Sequence, residues 1–496
     1  MPDHDPLLIS RQSFWVSVST ARCYRPPVSE PHDLAIIGAG PGGYVTALRA
    51  AHHGLRVALI EEHEPGGVCL HTGCIPTKTM AAGVGLLRRA QAARLAGLTL
   101  DLNENHLGQI NLRRDSVVQS LAQGVQQLLN KSDVQLIHAR GRLTSADEIE
   151  LTPREGEPTT MPRPRALVLA TGSRPIDIPA APRDGRFILN SDDILRMEEK
   201  PAHFLILGGG YIGCEFASIF AQLGSQVTLV EMENRLLPGM DPDLAKLLQR
   251  QFKQQGIALR LGRRMEAAQT NDVVTLTLDN GETLTGDQLL VAVGRVPNTE
   301  NLGLETAGVE LEGRAIRVDN QMQTTAPGIF AIGDVTGQMQ LAHVATAQGR
   351  VVVDNLLDEN ADAKMDYDQV PAAVFTHPEI ATIGLTPEQA EERGVPVKVG
   401  KFPFAAIGKA LAEGERDGFV KLIAHADTGQ LLGGHIIGGH AAELIGQITL
   451  AIKLKATAEQ LAETIFAHPT LSEAVLEAAE GIFGQPTHLP KPRERQ

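Results

Sequence analysis

Two cysteines close together in the chain offer the clearest chemistry. Cys69 and Cys74 lie in the segment GGVCLHTGCIPTK, with four residues between them. On a regular α-helix, residues five apart point about 140° away from each other, so a bridge between them requires a distorted turn. Strained bridges are the easily reduced ones. The alternative is a pair of unrelated buried cysteines, but the glycine-rich setting favours a redox-active dithiol.

The other two cysteines, Cys23 and Cys214, have no cysteine nearby in the sequence, and we assign them no chemistry. Four cysteines in 496 residues are too few for a disulfide-stapled secreted scaffold. Cysteine use therefore predicts a reducing compartment, and a cytoplasmic location is expected.

Two glycine motifs with the same spacing predict two nucleotide-binding sites. Each motif follows an apolar strand, opens a helix, and is followed by a glutamate 23 residues after its first glycine. The two sets are Gly38, Gly40, Gly43 and Glu61, and Gly208, Gly210, Gly213 and Glu231. One glycine triplet arises readily by chance among 49 glycines, but two copies with strand, helix and acid in place do not.

The chemistry of such a motif is specific. The first glycine permits a tight turn, and the second lets a pyrophosphate approach the backbone at a helix N-terminus. Glu61 and Glu231 would each accept a hydrogen bond from a ribose hydroxyl. A carboxylate repels the additional phosphate of NADP, so the second site is expected to prefer NAD. Arg235, four residues after Glu231, is a nearby cation that could weaken this preference.

The elements that position these residues form two strand–helix–strand units, which begin at Asp33 and Ala202. The predicted fold class is α/β, with two Rossmann-like dinucleotide-binding domains and a C-terminal α+β domain. The predicted segments are an extension 1–32, a first nucleotide domain 33–173, a second nucleotide domain 174–293, a central segment 294–365 that completes the first domain, a C-terminal domain 366–484 and a tail 485–496.

Local patterns fill in these units. The segment 105–129 is predicted to be helical, and the segment 134–151 is predicted to form hairpin strands. The apolar run GIFAIGDVTG places Asp334 at the carboxyl end of a strand, where ligands of open α/β sheets bind. Helices are expected between Ala441 and Phe483.

Charge and composition narrow the partners. The chain has 45 Lys and Arg against 59 Asp and Glu, a net charge of −14 that does not suit nucleic acid. No apolar run approaches the roughly 18 residues of a membrane-spanning helix, so no integral membrane association is expected. We interpret residues 1–32 as a disordered extension, with a targeting segment for the mitochondrial matrix as the alternative.

Together the motifs resemble those of the dimeric flavoprotein disulfide reductases. The likeness runs from Asp33 to about Gly484 and rests on GAGPGGY, GGVCLHTGCIPTK, VLATGSRP, GGGYIGCEFA, AVGRVPN, IFAIGDV, FTHPEIATIG and AHPTLSEA in their usual order. Within the family, the likeness is greatest to the members that oxidise dihydrolipoyl groups. The resemblance implies that the first unit binds FAD and the second binds NAD, in a flavoprotein component of 2-oxo acid dehydrogenase or related complexes.

The resemblance also assigns roles to single residues. It implies that Lys78 and Glu215 form an ion pair beside the flavin, that Cys69 exchanges with the substrate, and that Cys74 faces the flavin. Further positions expected to contact FAD or NAD are Gly141, Thr171, Gly172, Asp334, Ala342 and Gly294. No metal site is implied.

The segment FAHPTLSEA supplies the expected base. His468 and Glu473 match a family pair in which the carboxylate orients an imidazole that takes the thiol proton. In the family this histidine serves the disulfide of the other chain, so the resemblance implies a homodimer with the C-terminal domain at its interface. The expected macromolecular partner is a lipoyl-bearing acyltransferase or carrier protein.

Some residues depart from the family pattern without removing a reacting group. They are Val68, His71, Thr77 and Ile407. His71 lies between the cysteines and could raise their thiolate character if protonated, although a solvent-facing histidine is the simpler interpretation. The redox potential could be shifted as a result.

Two other functions stay open. A glutathione-type disulfide reductase would normally use NADPH, with basic residues where this chain has Glu231, Met232 and Glu233. A binding subunit with a structural flavin would not need an intact dithiol and base. Mercuric and large thioredoxin reductases require a further cysteine pair near the C-terminus, and no cysteine follows Cys214.

Overall fold

The structure is a computed structural model that describes residues 32–92, 97, 106–358 and 360–490. The predictions for residues 1–31, for Cys23 and for the end of the tail lie outside these residues. None of the helices within the described ranges is both long and apolar enough to cross a membrane.

The strands of the described residues are, in chain order, β1 Leu34–Ile37, β2 Val57–Glu61, β3 Val134–His138, β4 Arg140–Ser145, β5 Glu148–Thr152, β6 Thr159–Pro162, β7 Ala166–Leu169, β8 Ser173–Pro175, β9 Ile188–Leu189, β10 His203–Leu207, β11 Gln226–Glu231, β12 Ala258–Leu261, β13 Met265–Thr270, β14 Val274–Leu278, β15 Thr283–Gly286, β16 Gln288–Val291, β17 Arg295–Pro297, β18 Leu311–Glu312, β19 Ala315–Ile316, β20 Ile329–Ala331, β21 Ala372–Val374, β22 Glu379–Gly384, β23 Val397–Pro403, β24 Phe419–His425 and β25 Leu431–Gly438.

The α-helices of the same residues are α1 Pro41–His52, α2 Gly67–His71, α3 Cys74–Ala92, α4 His106–Lys131, α5 Tyr211–Gln222, α6 Pro242–Gln254, α7 Ala342–Leu357, α8 Pro387–Glu392, α9 Gly408–Glu413, α10 Ala441–Lys453, α11 Ala458–Ala462 and α12 Glu473–Ile482. The helix predicted over 105–129 is confirmed as α4.

The first nucleotide-binding unit has a five-stranded parallel sheet in the order β20-β7-β1-β2-β3. The central strand β1 is buried along its whole length, as an all-apolar strand covered on both faces requires. The connection from β2 to β3 carries α2, α3 and α4, so the cysteine segment leaves the sheet at the carboxyl end of β2.

The second unit repeats this plan with a parallel sheet in the order β12-β11-β10-β16-β9. In both units a three-stranded antiparallel sheet precedes a strand of the parallel sheet: β4–β6 before β7, and β13–β15 before β16. The helix α5 is buried continuously from Gly213 to Phe220. Its phenylalanine side chains, Phe216 and Phe220, share one core with Val374 and Phe419 of the C-terminal region.

The prediction of a hairpin over 134–151 is wrong in its first half. Strand β3 pairs in parallel with β2, and the hairpin is formed by β4 and β5. Only Ala139 separates β3 from β4. Because apolar residues fit either pairing, the sequence pattern alone did not separate a parallel edge strand from a hairpin strand.

The C-terminal region forms an antiparallel sheet in the order β21-β22-β25-β24-β23, with α10 and α12 packed against it. Helices therefore follow strands here, as predicted. The fold class, two Rossmann-like units with a C-terminal α+β unit, is confirmed.

Candidate active site

The first glycine of each motif has the same backbone geometry. Gly38 and Gly208 have φ angles of +101° and +109°, in the region that favours glycine. A Cβ at Gly38 would lie 2.4 Å from the carbonyl oxygen of Ala170, and one at Gly208 would lie 2.3 Å from that of Ala292. Each glycine therefore lies against the end of the neighbouring parallel strand, where no side chain fits.

The third glycine brings the helix onto the strand. A Cβ at Gly43 or Gly213 would lie 1.8 Å or 1.9 Å from the carbonyl oxygen of the first glycine of its own motif. These two residues therefore serve close packing.

The middle glycines, by contrast, face open space. A Cβ at Gly40 would meet nothing nearer than 3.9 Å, and one at Gly210 would meet nothing within 4 Å. Each directly precedes a helix, α1 or α5. This leaves room for a pyrophosphate at both helix N-termini.

The two predicted ribose-binding acids are both anchored by the glycine turn. The Ala39 N–H donates to Glu61 Oε2 at 2.6 Å, and the Gly209 N–H donates to Glu231 Oε2. A carboxylate accepts several hydrogen bonds, so each retains capacity for a hydroxyl donor. The turn and the acid are thus fixed relative to each other in both units.

The predicted distorted turn lies between the two cysteines. Helix α2 ends at His71 and α3 begins at Cys74, so the segment is not one continuous helix. The break brings the Cys69 and Cys74 side chains into hydrogen-bond contact. Both are free thiols.

The two thiols differ in acidity. The hydrogen bond from Cys69 lowers the pKa of Cys74 to about 7, against the opposing effect of burial and with help from the charge of Lys78. The same hydrogen bond, together with burial, raises the pKa of Cys69 above its ordinary value. Cys74 is therefore the sulfur that carries negative charge in the reduced pair.

The ion pair implied by the resemblance is present. Lys78 Nζ lies 2.8 Å and 2.7 Å from the two carboxylate oxygens of Glu215, whose side chain is only 4% exposed. The backbone N–H of Phe375 donates to Glu215 Oε1 at 2.9 Å. Glu215 therefore connects the cysteine-bearing helix α3, the second unit and the C-terminal region.

The first glycine turn, the two cysteines and the Lys78–Glu215 pair line one cavity of about 1240 Å³. This exceeds the roughly 300–1,000 Å³ of common small-molecule pockets, so an extended dinucleotide has room. The predicted residues that line the cavity are Gly38, Gly40, Glu61, Cys69, Cys74, Lys78, Gly141, Thr171, Gly172, Glu215, Asp334 and Ala342. The predicted residues outside its lining are Gly43, Gly208, Gly210, Gly213, Glu231, Gly294, His468 and Glu473.

Sequence reasoning did not single out several of the lining residues, among them Ser173, Arg295 and Tyr211. Ser173 Oγ donates to Asp334 Oδ2 at 2.5 Å, and Arg295 Nε donates to Ser173 Oγ at 2.8 Å. Tyr211 lies in the first turn of α5. The available signal was adjacency, because Ser173 follows Thr171 and Gly172, and Arg295 follows Gly294.

Two of the weaker cofactor predictions also have structural roles. Thr171 Oγ1 donates to the carbonyl oxygen of Asn298 at 2.7 Å, so this hydroxyl proton is used within the protein. A Cβ at Gly141 would lie 3.1 Å from the Ile37 side chain. Both residues fix the shape of the cavity wall.

The predicted base and its carboxylate are paired at the surface. His468 Nδ1 lies 2.8 Å from Glu473 Oε1, and the Thr470 N–H donates to the other oxygen at 2.9 Å. Burial raises the pKa of Glu473, but these hydrogen bonds outweigh it and hold the pKa below its ordinary value. The His468 side chain is 78% exposed and does not line the cavity of its own chain.

His71 and Arg235, to which the sequence assigned no definite role, each have a polar partner in the structure. The His71 Nε2 atom lies 3.0 Å from the carbonyl oxygen of Pro65, and the residue lines the cavity. Arg235 lies 3.6 Å from Glu388 of α8. Its guanidinium is thus next to a carboxylate of the C-terminal region.

Comparison with known proteins identifies the class. Residues 32–349 match the family described as pyridine nucleotide-disulphide oxidoreductase, and residues 370–479 match its dimerisation domain. The chain belongs to this family.

Curated relatives cover nearly the whole chain. The chain is 42% identical to the dihydrolipoyl dehydrogenase of Chlamydia muridarum over 471 residues, which are 94% of this chain and 100% of that protein. It is 38% identical to the dihydrolipoyl dehydrogenase of Bacillus subtilis, over 92% of this chain and 99% of that protein.

Solved structures agree with the fold. LpdA from Mycobacterium tuberculosis superposes with a TM-score of 0.85 at 31% identity, covering 90% of this chain and 98% of that one. The HOCl-induced flavoprotein disulfide reductase RclA from Escherichia coli, in a Cu(II) complex, gives 0.82 at 30% identity, covering 91% and 99%.

Family membership settles the general chemistry. The chain is a flavoprotein disulfide oxidoreductase that uses FAD and NAD, and its C-terminal region is the dimerisation domain of a homodimer. The residues present fit these groups, since both glycine turns leave a helix N-terminus open and one large cavity reaches the dithiol.

Proposed function

We propose that this protein oxidises dihydrolipoyl groups to lipoyl groups and reduces NAD, as the flavoprotein component of a 2-oxo acid dehydrogenase or related complex. The observation that carries the proposal is the pair of unequal thiols beside the Lys78–Glu215 ion pair in a dinucleotide-sized cavity. The names of the relatives, with near-complete coverage, specify the dihydrolipoyl group.

In the oxidised enzyme Cys69 and Cys74 form the disulfide that accepts two electrons. His468 takes the proton of one substrate thiol, and the resulting thiolate attacks the sulfur of Cys69. Cys74 leaves as a thiolate, which is favoured because the nearby charge of Lys78 lowers the pKa of this thiol. The second substrate thiol then attacks the mixed disulfide, and lipoyl product and the Cys69 thiol are released.

The first glycine unit would hold FAD and the second would hold NAD. When bound, FAD carries the two electrons from the dithiol to NAD. Gly38, Gly40 and Glu61 would bind the ADP part of FAD, while the Lys78–Glu215 pair would fix charge beside the flavin. Gly141, Thr171, Gly172, Asp334 and Ala342 are proposed as further FAD contacts.

The second glycine unit supplies the proposed binding site for NAD. Gly208, Gly210, Gly213, Glu231 and Gly294 are proposed as the NAD contacts.

We assign the base to the neighbouring chain. His468 is exposed and does not line the cavity of its own chain, and Ile465 nearby is 98% exposed in the single chain. A dimer interface would cover this apolar side chain and bring His468 to the other chain's dithiol.

The partner expected from this chemistry is a lipoyl-bearing acyltransferase or carrier protein. A reducing location such as the cytoplasm suits a cysteine-poor chain whose dithiol must cycle.

The test is the reduction of NAD by dihydrolipoamide, compared with NADPH-dependent reduction of glutathione disulfide. Rapid turnover in the first assay and none in the second supports the proposal. The reverse pattern would identify a glutathione-type reductase. No thiol-dependent turnover in protein that retains FAD would identify a binding subunit with a structural flavin.

A further inference from the structure

Phe375 contacts the Lys78–Glu215 pair from outside the cavity that the pair lines. It directly follows β21, the edge strand of the C-terminal sheet, in the segment FTHPEIATIG. Its backbone N–H donates to Glu215 Oε1 at 2.9 Å, and Lys78 Nζ lies 4.9 Å from the centre of its ring. One residue thus contacts both charges of the ion pair, and the proposed reaction gives it no role.

The two contacts suit the two charges. A backbone N–H donates well to a carboxylate, and the negative face of an aromatic ring attracts an ammonium group within about 6 Å. The Lys78 side chain is 31% exposed, whereas that of Glu215 is only 4% exposed. The lysine is therefore the member of the pair with more freedom to move, and the ring is a second partner that limits this movement.

The neighbours of Phe375 in the chain hold its ring in place. Val374 is 1% exposed and packs in the same core as the phenylalanine side chains of α5. On the other side, the His377 N–H donates to Ser218 Oγ of α5 at 3.0 Å. The segment is therefore fixed to α5 before and after Phe375, independently of Lys78.

The position of the Lys78 charge matters because Cys74 lies one turn away on the same helix. Both residues belong to α3, and side chains four positions apart lie on one face of a helix. The charge of Lys78 lowers the pKa of Cys74, and the charge of Glu215 raises it. A lysine that moves away from this place weakens the first effect and leaves the second.

We infer that Phe375 is a positioning residue of the reaction: its ring holds the Lys78 ammonium beside Cys74, while its backbone N–H holds the Glu215 carboxylate. This inference deepens the proposed function and rests on it, because it takes Cys74 as the sulfur that becomes the thiolate. Without the ring, the ammonium would move into the cavity and away from the sulfur.

The test measures the acidity of Cys74 in full-length, FAD-loaded protein that carries Cys69→Ser. The thiolate–flavin absorbance band gives one titration midpoint. The rate of alkylation of Cys74 by iodoacetamide, followed on its peptide by mass spectrometry, gives a second midpoint that needs no flavin.

We expect Phe375→Leu to move both midpoints upward by about 0.3 to 1 pH unit, because this variant removes the ring but keeps an apolar side chain and the N–H. Phe375→Tyr should restore the midpoints, since tyrosine retains the ring face. Phe375→Met replaces Phe375→Leu where that variant does not retain FAD.

A double variant tests whether the ring acts through the lysine. Titratable groups on three helices face Cys74, and the proposed dimer adds one from the neighbouring chain. These groups are Cys69, Lys78, Glu215 and Tyr211, with His468 of the neighbouring chain. In the Lys78→Met background, Phe375→Leu should cause no further shift, because the ammonium is already gone. A shift that persists in this background overturns the inference.

The matched control is Phe419→Leu, which removes another ring of the C-terminal sheet from beside a lysine. Lys401 Nζ lies 4.0 Å from the centre of the Phe419 ring, and neither residue lines the cavity. This variant should leave both midpoints unchanged. A shift equal to that of Phe375→Leu would show a general effect of ring loss and would overturn the inference.

An unchanged or lowered midpoint in Phe375→Leu, or no recovery in Phe375→Tyr, overturns the inference alone. None of these measurements uses the substrate. Absence of dihydrolipoamide oxidation by the unmodified protein would instead refute the proposed function, and the acidity of Cys74 could still be compared among the variants.

Discussion

At Gly38 and at Gly208 the backbone makes the same turn, and in both units a glutamate 23 residues later accepts a hydrogen bond from the residue after the first glycine. The surroundings differ. Glu61 lines the large cavity, whereas Glu231 is 7% exposed and does not. The same local sequence therefore builds two turns, of which only the first opens directly onto the dithiol.

The helices that follow the two turns also differ in how deeply they are buried. Helix α1 alternates buried and partly exposed residues, whereas α5 is buried over eight consecutive residues and carries Glu215 to Lys78. The first unit thus supplies the reacting sulfurs, and the second unit supplies the charge beside them. The comparison predicts that changes in the first unit abolish chemistry, while changes in the second alter cofactor choice.

The largest effect is expected at the cysteines. Cys69→Ser and Cys74→Ser should each abolish turnover of dihydrolipoamide, because either change prevents the disulfide. Only Cys69→Ser leaves the Cys74 thiolate, which should give a long-wavelength charge-transfer absorbance with oxidised flavin. Cys74→Ser is the matched control and should lack the band.

The pH dependence of this band follows from the acidity of Cys74. Because the serine hydroxyl can keep the hydrogen bond, the thiol should titrate near its pKa of about 7. The band should be present above this pH and disappear below it, since the thiolate is the deprotonated form. A band that titrates near the ordinary pKa of about 8.5 for a free thiol would contradict the assigned inequality of the two sulfurs.

The next effect concerns the base. His468→Gln should retain FAD and its reduction by NADH but lower dihydrolipoamide turnover about 10²- to 10⁴-fold, as expected when a general base is removed. His488→Gln is the matched control, because His488 forms a second histidine–glutamate pair. Its Nδ1 atom lies 2.5 Å from Oε1 of Glu477, which belongs to α12, the helix that begins at Glu473. This second pair is not assigned to catalysis, and turnover should be unchanged.

Heterodimers test where the base acts. Mixing His468→Gln chains with Cys69→Ser chains creates one site with both an intact dithiol and an intact base, provided the histidine serves the neighbouring chain. Verified heterodimers that regain no activity would refute the cross-subunit assignment.

How much of the site could be predicted from the sequence depends on how far apart the interacting residues lie along the chain. The glycine turns and their acids are local, so their spacing together with the flanking strand and helix patterns predicted them. Lys78 and Glu215 are 137 residues apart, and only the resemblance to a family paired them. The parallel pairing of β3 was missed because a strand pattern does not name its partner.

A smaller effect is expected for the two acids. Glu231→Ala should lower kcat/KM for NAD by about tenfold through loss of a charged hydrogen bond, and should narrow the preference over NADP. Glu61→Ala is the comparison in the first unit. It should weaken FAD retention, measured by flavin content after dialysis, without altering nicotinamide choice. A change in NADP preference in Glu61→Ala would contradict the assignment of the two sites.

The smallest effect is expected at Arg235, and measuring it tests which residue sets the nicotinamide preference of the second unit. The Arg235 side chain is 36% exposed and its guanidinium lies 3.6 Å from Glu388, and an ion pair this exposed contributes at most about 1 kcal/mol. Arg235→Ala should therefore leave the ratio of kcat/KM for NAD and NADP within about twofold, because repulsion by Glu231 dominates the effect of one exposed, ion-paired surface charge. The double variant with Glu231→Ala decides the remaining question. If Arg235 attracts the additional phosphate of NADP once the carboxylate is gone, the double variant should restore the preference for NAD that Glu231→Ala narrows. An unchanged ratio in the double variant means that the carboxylate alone sets the preference of the second unit.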